Sequence, residues 1–333
     1  MKAGLFMCTS LTYQTEANDL FLARTMDFSQ VLDGRPVFLP RQFNFQTNFS
    51  GKQTTQYAIM GAGASYEDEI VIADGFNEHG LAMAELYFAN EIVLEKKPLA
   101  DKLNLAPHEL ITYLLGNFAT LSEIAEKIAD IALVIPDNGA PTLPLHYILT
   151  DQTGQAAVIE ARGGDLTLLD NPVGVMTNTP NLDWHIKNLN NYLHIQPQAF
   201  PNKQFNHVTA SQFSQGTGTQ GLPGSYTPPD RFVRAAFGRQ YLPAATTIDQ
   251  AVTNILHILG MVSVPKGLNI PSTGVSDYTQ YTGIMSTTEK AYYMTTYDNP
   301  TVYRMAMTDD MIHNRHEVKW FDLPFDPQIV DLD

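Results

Sequence analysis

The amino-acid sequence predicts an α+β fold in which mainly antiparallel strands at the two ends of the chain enclose several helices. Short apolar or β-branched runs separated by Asp, Gly and Asn fill the first third of the 333 residues, and similar runs return in the C-terminal part. Helical patterns lie between them. We therefore expect sheets that are completed by distant segments of one chain. No internal repeat or clean domain boundary is visible.

The first half of the chain supplies predicted strands and then a helical layer. The spacing of the early strands favours antiparallel pairing, and they cover residues 10–13, 21–23, 57–60 and 70–72. Pro107 is favoured in a first helical turn, so a helix is expected through Leu115. A second helix is expected over 121–131, because Thr120 precedes Ser122, Glu123 and apolar positions at helical spacing.

The second half alternates between the same element types. Strands are predicted over 145–149, 156–159, 166–169, 174–176, 281–285, 291–296 and 302–307. Helices are predicted over 181–192, 231–237 and 247–259. Residues 204–229 are rich in Gly, Ser, Gln and Pro and predict a long loop, which in a compact domain is usually functional or an interaction element.

Charge and composition exclude several classes of function. Twenty basic and thirty-five acidic residues give a formal charge of −15, which works against binding nucleic acid or anionic membranes. No apolar run approaches the roughly 18 residues that a membrane helix needs. One cysteine cannot form an intramolecular disulfide, and no export signal is visible, so a cytoplasmic location is the default expectation.

Motifs for cofactor chemistry are weak. Residues 216–221 match G-x-G-x-x-G, but they follow a polar loop and are followed by prolines, which argues against a dinucleotide site. The nine histidines are scattered and show no carboxylate arrangement for zinc, so neither a metal nor another cofactor is expected. The segment Asn77-Glu78-His79-Gly80-Leu81 has the composition of a hairpin turn, where Glu and His are usually exposed.

The only cysteine, Cys8, lies almost at the start of the chain. If the mature protein begins there, one residue carries a nucleophilic thiol and a free α-amine whose pKa of about 7.7 to 8.0 suits a base. The alternative is a small buried hydrophobe, which is the usual state of a free cysteine. Lipidation is rejected, because the few residues between Lys2 and Cys8 are too short for a signal segment.

An Arg and an Asp follow in the run Leu22-Ala23-Arg24-Thr25-Met26-Asp27-Phe28. A cysteine that attacks an amide needs positive charge to favour the thiolate and a carboxylate to orient the amine. Residues three apart point to opposite faces of a strand, so a turn or bulge near Met26 would be needed to direct both at one site. A partly buried ion pair is the alternative.

Five separated segments in compatible order resemble signatures of the choloylglycine hydrolases, a family that includes bile salt hydrolases and penicillin V acylases. The resemblance covers nearly the whole chain. It implies an N-terminal-nucleophile hydrolase with a four-layer αββα sandwich of two mainly antiparallel sheets, assembled as a homotetramer. The segments are Met7-Cys8-Thr9-Ser10, Ala23-Arg24-Thr25-Met26-Asp27-Phe28, Asn77-Glu78-His79-Gly80-Leu81, Val175-Met176-Thr177-Asn178-Thr179-Pro180 and Arg231-Phe232-Val233-Arg234.

The resemblance also implies a role for each matching residue. Cys8 matches the nucleophile, Arg24 the arginine beside the thiol and Asp27 the carboxylate that holds the α-amine. The oxyanion hole corresponds to the Asn178 side chain and the Tyr87 backbone N–H, and Arg231 matches a second active-site arginine. Position 87 is usually asparagine in bile salt hydrolases and tyrosine in penicillin V acylases.

We therefore expect a hydrolase of linear amides that converts penicillin V to phenoxyacetate and 6-aminopenicillanate. The alternatives are a bile salt hydrolase that releases glycine or taurine, and an inactive small-molecule binding protein of the same fold. Residues 1–7 are expected to be a leader or a misassigned start that is absent from the mature enzyme, and residues 8–333 a single domain. An uncleaved chain would have an amide nitrogen in place of the base.

Overall fold

The computed structural model describes residues 7–66, 69–136, 143–272, 274–327 and 329–332. More of the described residues lie in strands than in helices. The strands are β1 Met7–Gln14, β2 Leu20–Phe28, β3 Arg35–Leu39, β4 Asn44–Thr47, β5 Gly51–Thr54, β6 Ile59–Tyr66, β7 Glu69–Asn77, β8 Ala82–Tyr87, β9 Leu103–Leu105, β10 Ile131–Leu133, β11 Leu145–Thr150, β12 Ala156–Arg162, β13 Asp165–Asp170, β14 Val175–Met176, β15 Lys203–Phe205, β16 Val208–Ala210, β17 Tyr278–Ser286, β18 Ala291–Thr296, β19 Tyr303–Ala306 and β20 Lys319–Trp320.

The helices begin at residues that suit their first turns. Thr120 and Thr247 cap their helices by accepting a hydrogen bond from the backbone N–H three residues on, and Pro228 opens the fourth helix. The α-helices are α1 Glu109–Asn117, α2 Leu121–Lys127, α3 Leu182–Asn188, α4 Pro228–Tyr241, α5 Ile248–Gly260 and α6 Asp309–Asn314, with short 3₁₀ helices at Ile128–Asp130, Leu189–Tyr192 and Thr217–Thr219.

Two large antiparallel sheets form the centre of the molecule. The six-stranded sheet has the order β14-β1-β2-β17-β18-β19, and the eight-stranded sheet has the order β13-β12-β11-β8-β7-β6-β3-β20. Strands from the two ends of the chain pair directly, because β2 lies between β1 and β17. The expectation that distant segments complete the sheets is confirmed.

The two sheets pack face to face and each is covered by helices on its outer side. One apolar cluster joins the inner faces of the sheets and the α4 and α5 side, with Phe76, Ile148 and Phe232 at 0% exposure. A second cluster joins the outer face of the eight-stranded sheet to α1 and α2. The result is the four-layer αββα sandwich, because each sheet buries both faces.

Several predicted elements differ in detail from the structure. The helix expected over 121–131 ends at Lys127, and Ile131 already begins a strand. The predicted loop over 204–229 contains the small β15–β16 hairpin and ends earlier, because Pro228 starts α4. Gly and Pro mark chain reversals well, but they do not exclude a short hairpin or a helical first turn.

The predicted turn at residues 77–81 is confirmed, but its glutamate is not exposed. Gly80 has a φ of +83°, in the left-handed region that favours glycine. Glu78 is buried and accepts hydrogen bonds from Nε and Nη2 of Arg41, a residue distant in sequence. The Asn77 side chain accepts from the N–H groups of His79 and Leu81 and thereby fixes the turn.

Candidate active site

Cys8 lies on the inner face of the six-stranded sheet, where its side chain is 2% exposed. In the β1–β2 ladder Cys8 is opposite Met26 and Ser10 is opposite Arg24. Alternate residues of a strand share a face, so the register places Cys8 and Arg24 on the same side. Arg24 Nη2 donates to Cys8 Sγ over 2.9 Å. The structure therefore brings together the predicted nucleophile and the arginine expected beside it.

Asp27 lies on the opposite face of the same strand, toward the α4–α5 layer. The bulge expected near Met26 is not in β2: the β1–β2 ladder is regular, and the register shift falls in β17 between Thr279 and Tyr281. The Asp27 carboxylate accepts from the hydroxyl of Thr25 at 3.2 Å and from the hydroxyl of Thr279 at 2.5 Å. Arg24 and Asp27 therefore point to opposite faces of the sheet formed by β1 and β2.

Asn178 joins the cysteine to the rest of the site. Its Oδ1 accepts from the Cys8 backbone nitrogen at 3.0 Å and from Arg231 Nη2 at 2.6 Å. Its Nδ2 donates to the Tyr87 carbonyl at 2.8 Å. Because one end of the side-chain amide meets donors and the other an acceptor, this network fixes its orientation. The second hydrogen on Nδ2 can serve another acceptor.

Tyr87 ends β8 beside Asn178. The backbone N–H of Phe88 donates to the Pro144 carbonyl, so the backbone polar groups of Phe88 face β11. Backbone polar groups of successive strand residues face alternate edges, and the N–H and C=O of one residue face the same edge. The Tyr87 N–H is therefore directed to the side on which Asn178 contacts the Tyr87 carbonyl.

Arg231 reaches the site from α4 and is fully buried. Its Nη1 donates to the Cys8 carbonyl at 2.5 Å and to Thr9 Oγ1 at 2.6 Å. Its Nε donates to the Tyr226 carbonyl at 2.9 Å. Together with the bond from Nη2 to Asn178, these contacts make Arg231 a connector between β1, the segment after β14 and the start of α4.

The electrostatics of the site oppose an isolated thiolate. Burial raises the pKa of the Cys8 thiol, and the neighbouring charge of Arg24 opposes that rise. The Asp27 charge raises this pKa further, whereas a hydrogen bond from the Asp27 backbone and the charge of Arg231 lower it. Burial likewise raises the pKa of Asp27, against the charge of Arg231 and the hydrogen bond from Thr279. A nucleophilic role for this thiol would therefore require a proton acceptor.

A buried network that sequence reasoning missed supports Asn178 from behind. His185 Nε2 lies 2.8 Å from the Asn178 carbonyl, and the His185 ring stacks on Phe232 at 4.7 Å between centroids. His146 Nε2 lies 2.8 Å from the carbonyl of Thr177, the residue before Asn178. Because a carbonyl only accepts, each Nε2 carries its hydrogen. No sequence motif connects residues that lie on separate strands and helices.

A second missed group surrounds Arg24. Asp74 Oδ2 lies 3.5 Å from Arg24 Nη1, and both side chains are fully buried. The hydroxyls of Tyr281 and Tyr292 donate to the two Asp74 oxygens.

Among the residues that the structure describes, no three His, Cys, Asp or Glu side chains are grouped to hold a metal ion. Within the same residues, no helix is long and apolar enough to cross a membrane.

The fold and the position of the cysteine define the class. An αββα sandwich with a buried cysteine on its first strand is the architecture of an N-terminal-nucleophile hydrolase. Residues 8–321 match the model of the linear amide C-N hydrolases, choloylglycine hydrolase family. The chain belongs to that family and is an amide hydrolase.

Relatives from several bacteria match over most of their length. The bile salt hydrolase/transferase of Lactiplantibacillus plantarum is 34% identical over 91% of this chain and 93% of its own. The bile salt hydrolase/transferase of Clostridium perfringens is 32% identical over 95% of this chain and 96% of its own. The penicillin V acylase of Pectobacterium atrosepticum is 25% identical over 89% of this chain and 80% of its own.

A solved structure shows the same architecture. A cysteine-to-alanine variant of the conjugated bile acid hydrolase from Clostridium perfringens has a TM-score of 0.89 and 30% sequence identity, and the match covers 98% of this chain and 100% of that chain. The predicted family and fold class are thereby confirmed. The individual roles of the six site residues stay proposals.

Proposed function

We propose that the mature protein begins at Cys8 and uses its thiol to hydrolyse the amide bond of conjugated bile salts, releasing glycine or taurine. The observation that carries the proposal is the double anchoring of Cys8. Its Sγ accepts from Arg24 at 2.9 Å, and its backbone nitrogen donates to Asn178 at 3.0 Å. A nucleophile and its adjoining nitrogen are thus held in one fixed geometry inside an amide hydrolase.

The proposed mechanism begins with the terminal amine as the base. The amine of Cys8 takes the thiol proton, and the thiolate attacks the substrate carbonyl to form a tetrahedral oxyanion. The Tyr87 N–H and the free hydrogen on Asn178 Nδ2 donate to this oxyanion. The ammonium returns the proton to the leaving nitrogen, so the C–N bond breaks and a thioester remains. Water then hydrolyses the thioester and regenerates the thiol.

The roles proposed for the charged residues follow from their positions. Arg24 contacts Sγ directly and stabilises the thiolate. Arg231 holds the Cys8 carbonyl and Asn178, so it keeps nucleophile and oxyanion donor in register. Asp27 is held by two threonine hydroxyls beside the beginning of β1 and supplies negative charge near the ammonium. In the chain with Met7 attached, Cys8 N is an amide and cannot accept a proton.

Removal of residues 1–7 is therefore part of the proposal. The family match beginning at Cys8 supports it. Intact-mass measurement of the active protein should show Cys8 as the first residue. A working enzyme that retains Met7 would contradict the proposed base.

Bile salts take precedence as substrate because relatives named for bile salts are 32% and 34% identical, against 25% for the penicillin V acylase. Penicillin V stays a second candidate, since Tyr87 is the residue that the resemblance associates with penicillin V acylases. Cholate release from glycocholate and phenoxyacetate release from penicillin V should be measured side by side. We expect faster glycocholate turnover, and faster penicillin V turnover would reverse the order.

The nucleophile is tested by Cys8→Ala, which should fold but lose turnover of both substrates. The matched control is Met285→Leu, which changes another buried sulfur-containing side chain, opposite Leu22 in β17, and leaves the thiol and its contacts in place. Undiminished hydrolysis by Cys8→Ala would place the active site elsewhere. A processed wild-type protein that binds bile salts without hydrolysing them would favour the binding-protein alternative. The proposed homotetramer is tested by light scattering of the purified protein.

A further inference from the structure

Arg24 carries its charge into the space between the two sheets, where it is fully buried. A buried guanidinium requires both hydrogen-bond acceptors and a compensating charge. Its Nε donates to the Thr25 carbonyl at 3.2 Å and its Nη1 to the Ala73 carbonyl at 3.1 Å. These neutral acceptors leave the charge to be compensated by a carboxylate.

Asp74 is the carboxylate in contact with Arg24, and it is itself fixed at both oxygens. Tyr281 Oη donates to Oδ2 at 2.6 Å, and Tyr292 Oη donates to Oδ1 at 2.5 Å. Oδ2 also lies 3.5 Å from Arg24 Nη1. With one hydroxyl on each oxygen, the Asp74 carboxylate cannot rotate without breaking a buried hydrogen bond.

The backbone is shaped to make this arrangement possible. β7 has one extra residue, Ala73, between the residues paired with Ala62 and Gly63, and this bulge presents the Ala73 carbonyl to Arg24. Gly283 lies opposite Arg24 in the neighbouring strand. A Cβ at Gly283 would lie 2.2 Å from Tyr292 Oη and 3.4 Å from Asp74 Oδ1, so only glycine leaves room for the hydroxyl to reach the carboxylate.

The charged and titratable groups that face Arg24 are few. Asp74, Glu85, Tyr281 and Cys8 act on it electrostatically, and its charge in turn acts on Asp27 and Tyr292. Burial raises the pKa of Glu85 well above its ordinary value, and its Oε2 has no hydrogen-bond partner among the described residues, both of which favour the neutral acid. Burial also raises the pKa of Tyr281 well above its ordinary range, so its hydroxyl stays a donor. Burial also raises the pKa of Asp74, but the charge of Arg24 and the hydroxyls of Tyr281 and Tyr292 oppose that rise, so Asp74 serves as the fixed counter-charge.

We propose that Asp74, clamped by Tyr281 and Tyr292, is the positioning residue that holds the Arg24 guanidinium with Nη2 on the Cys8 sulfur. This inference rests on the proposed function of Cys8 and deepens it. Arg24 has several rotatable bonds, and only its Nη2 faces the thiol. The Asp74 clamp selects that one conformation.

A pure charge effect and a positioning effect predict opposite changes in the reactivity of the Cys8 thiol for Asp74→Asn. Removing a negative charge near the thiol would, by electrostatics alone, make the thiolate easier to form. Releasing Arg24 from its anchor would make the thiolate harder to form, because Nη2 would no longer be held at Sγ. The sign of the change in thiol reactivity therefore separates a positioning role from a simple charge effect.

The experiment uses the processed enzyme and measures the rate of Cys8 alkylation by iodoacetamide from pH 5 to 10. We expect Asp74→Asn to raise the midpoint of this profile by about one pH unit and to lower amide turnover about 10- to 100-fold. The matched control is Asp151→Asn. Asp151 is also buried, but it accepts from Leu121 N and Thr153 and should leave the midpoint unchanged.

Two further variants keep the test decisive. Tyr292→Phe removes one hydrogen bond to Asp74 and leaves both charges in place, so it should shift the midpoint in the same direction by less, even if Asp74→Asn does not fold. In an Arg24→Gln background, Asp74→Asn should raise the midpoint no further, because its upward effect acts through Arg24. An unchanged or lowered midpoint in both Asp74→Asn and Tyr292→Phe would overturn the proposal.

Failure of the proposed function would look different. A wild-type protein with no amide turnover, in which Asp74→Asn still raises the alkylation midpoint, would refute the hydrolase mechanism and retain the positioning role. Normal turnover with a midpoint that does not respond to Asp74→Asn or Tyr292→Phe would retain the hydrolase and refute the positioning role.

Discussion

Arg24 and Arg231 approach Cys8 from opposite faces of the six-stranded sheet and are held by different kinds of partner. Arg24 lies between the sheets, contacts the thiol and faces the carboxylate of Asp74. Arg231 extends from α4, and its hydrogen bonds go to neutral oxygens of the Cys8 backbone, Thr9, Tyr226 and Asn178. Both side chains are fully buried.

The different partners have different electrostatic consequences. Burial works to lower the pKa of Arg24, but electrostatic interactions with Cys8, Tyr281 and Asp74 outweigh it and raise this pKa. Burial lowers the pKa of Arg231, and the charges of Asp27 and Cys8 only partly oppose it. A buried arginine can therefore serve as a compensated charge beside a thiol or as a hydrogen-bonded connector between segments.

Replacing the connector should have the largest effect. Arg231→Gln leaves several buried acceptors unpaired and releases Asn178, so we expect a loss of about 3–5 kcal/mol in the free energy of unfolding. Turnover should fall by about 1,000-fold or more, since an oxyanion donor loses its anchor. Urea unfolding and amide turnover of the processed enzyme measure both. Arg231→Lys keeps the charge but not the planar fork, and full rescue by lysine would refute the connector role.

Replacing the compensated charge should separate reactivity from stability. A charge pair at about 4 Å and an effective dielectric of about 20 is worth about 4 kcal/mol, so Arg24→Gln should lower turnover by about 1,000-fold at most. It also leaves Asp74 uncompensated, at a cost of about 3–5 kcal/mol in the free energy of unfolding. Adding Asp74→Asn should recover stability but not turnover. A double variant that regains turnover would contradict the assignment.

Truncating Asn178 tests the point where the two sides of the site meet. Asn178→Ala removes one proposed oxyanion donor and should lower kcat by about 100- to 1,000-fold. Substrate binding should change less, because the donor acts mainly on the charge that develops during attack. Steady-state kinetics with glycocholate separate kcat from KM. A rise in KM with unchanged kcat would show that Asn178 binds the substrate instead.

Much of this site could be predicted from the sequence, because its proposed residues lie in short motifs at recognisable positions. Asp74 could not, since its two tyrosine donors lie 207 and 218 residues away along the chain. Strand alternation does predict that Arg24 and Asp27 lie on opposite faces of β2, whereas the position of the bulge was beyond sequence reasoning, because it lies in the partner strand β17. Local patterns predict which elements form, whereas long-range register decides which side chains meet.

The smallest predicted effect is the loss of stability at low pH caused by His185, which contacts the Asn178 carbonyl. Burial lowers the pKa of His185 to about 4, against the hydrogen bond to the Asn178 carbonyl that raises it. Unfolding restores an ordinary pKa of about 6.5, so between pH 6.5 and 4 the unfolded chain binds a proton that the folded chain does not. Stability should therefore fall by about 2 kcal/mol from this group as pH drops from 7 to 4.5.

Asp277 supplies an opposing control in the same window. Burial raises the pKa of Asp277 to about 6, so the folded chain takes up a proton between pH 6 and 4 and gains stability there. Urea unfolding at pH 7 and 4.5 should show a smaller acid loss in His185→Gln and a larger one in Asp277→Asn than in the wild type. The same acid loss in all three proteins would show that neither group titrates as proposed.

The hydrogen bonds of Cys8 have a consequence for biosynthesis. Cys8 is synthesised well before its partners, because its nitrogen and carbonyl are bound by residues 170 and 223 positions later. The threonine that binds Asp27 follows that residue by 252 positions. A chain still emerging from the ribosome therefore lacks this environment until the strand that carries Thr279 has been translated. The surroundings proposed to activate the thiol cannot assemble on shorter, unfinished copies of the chain.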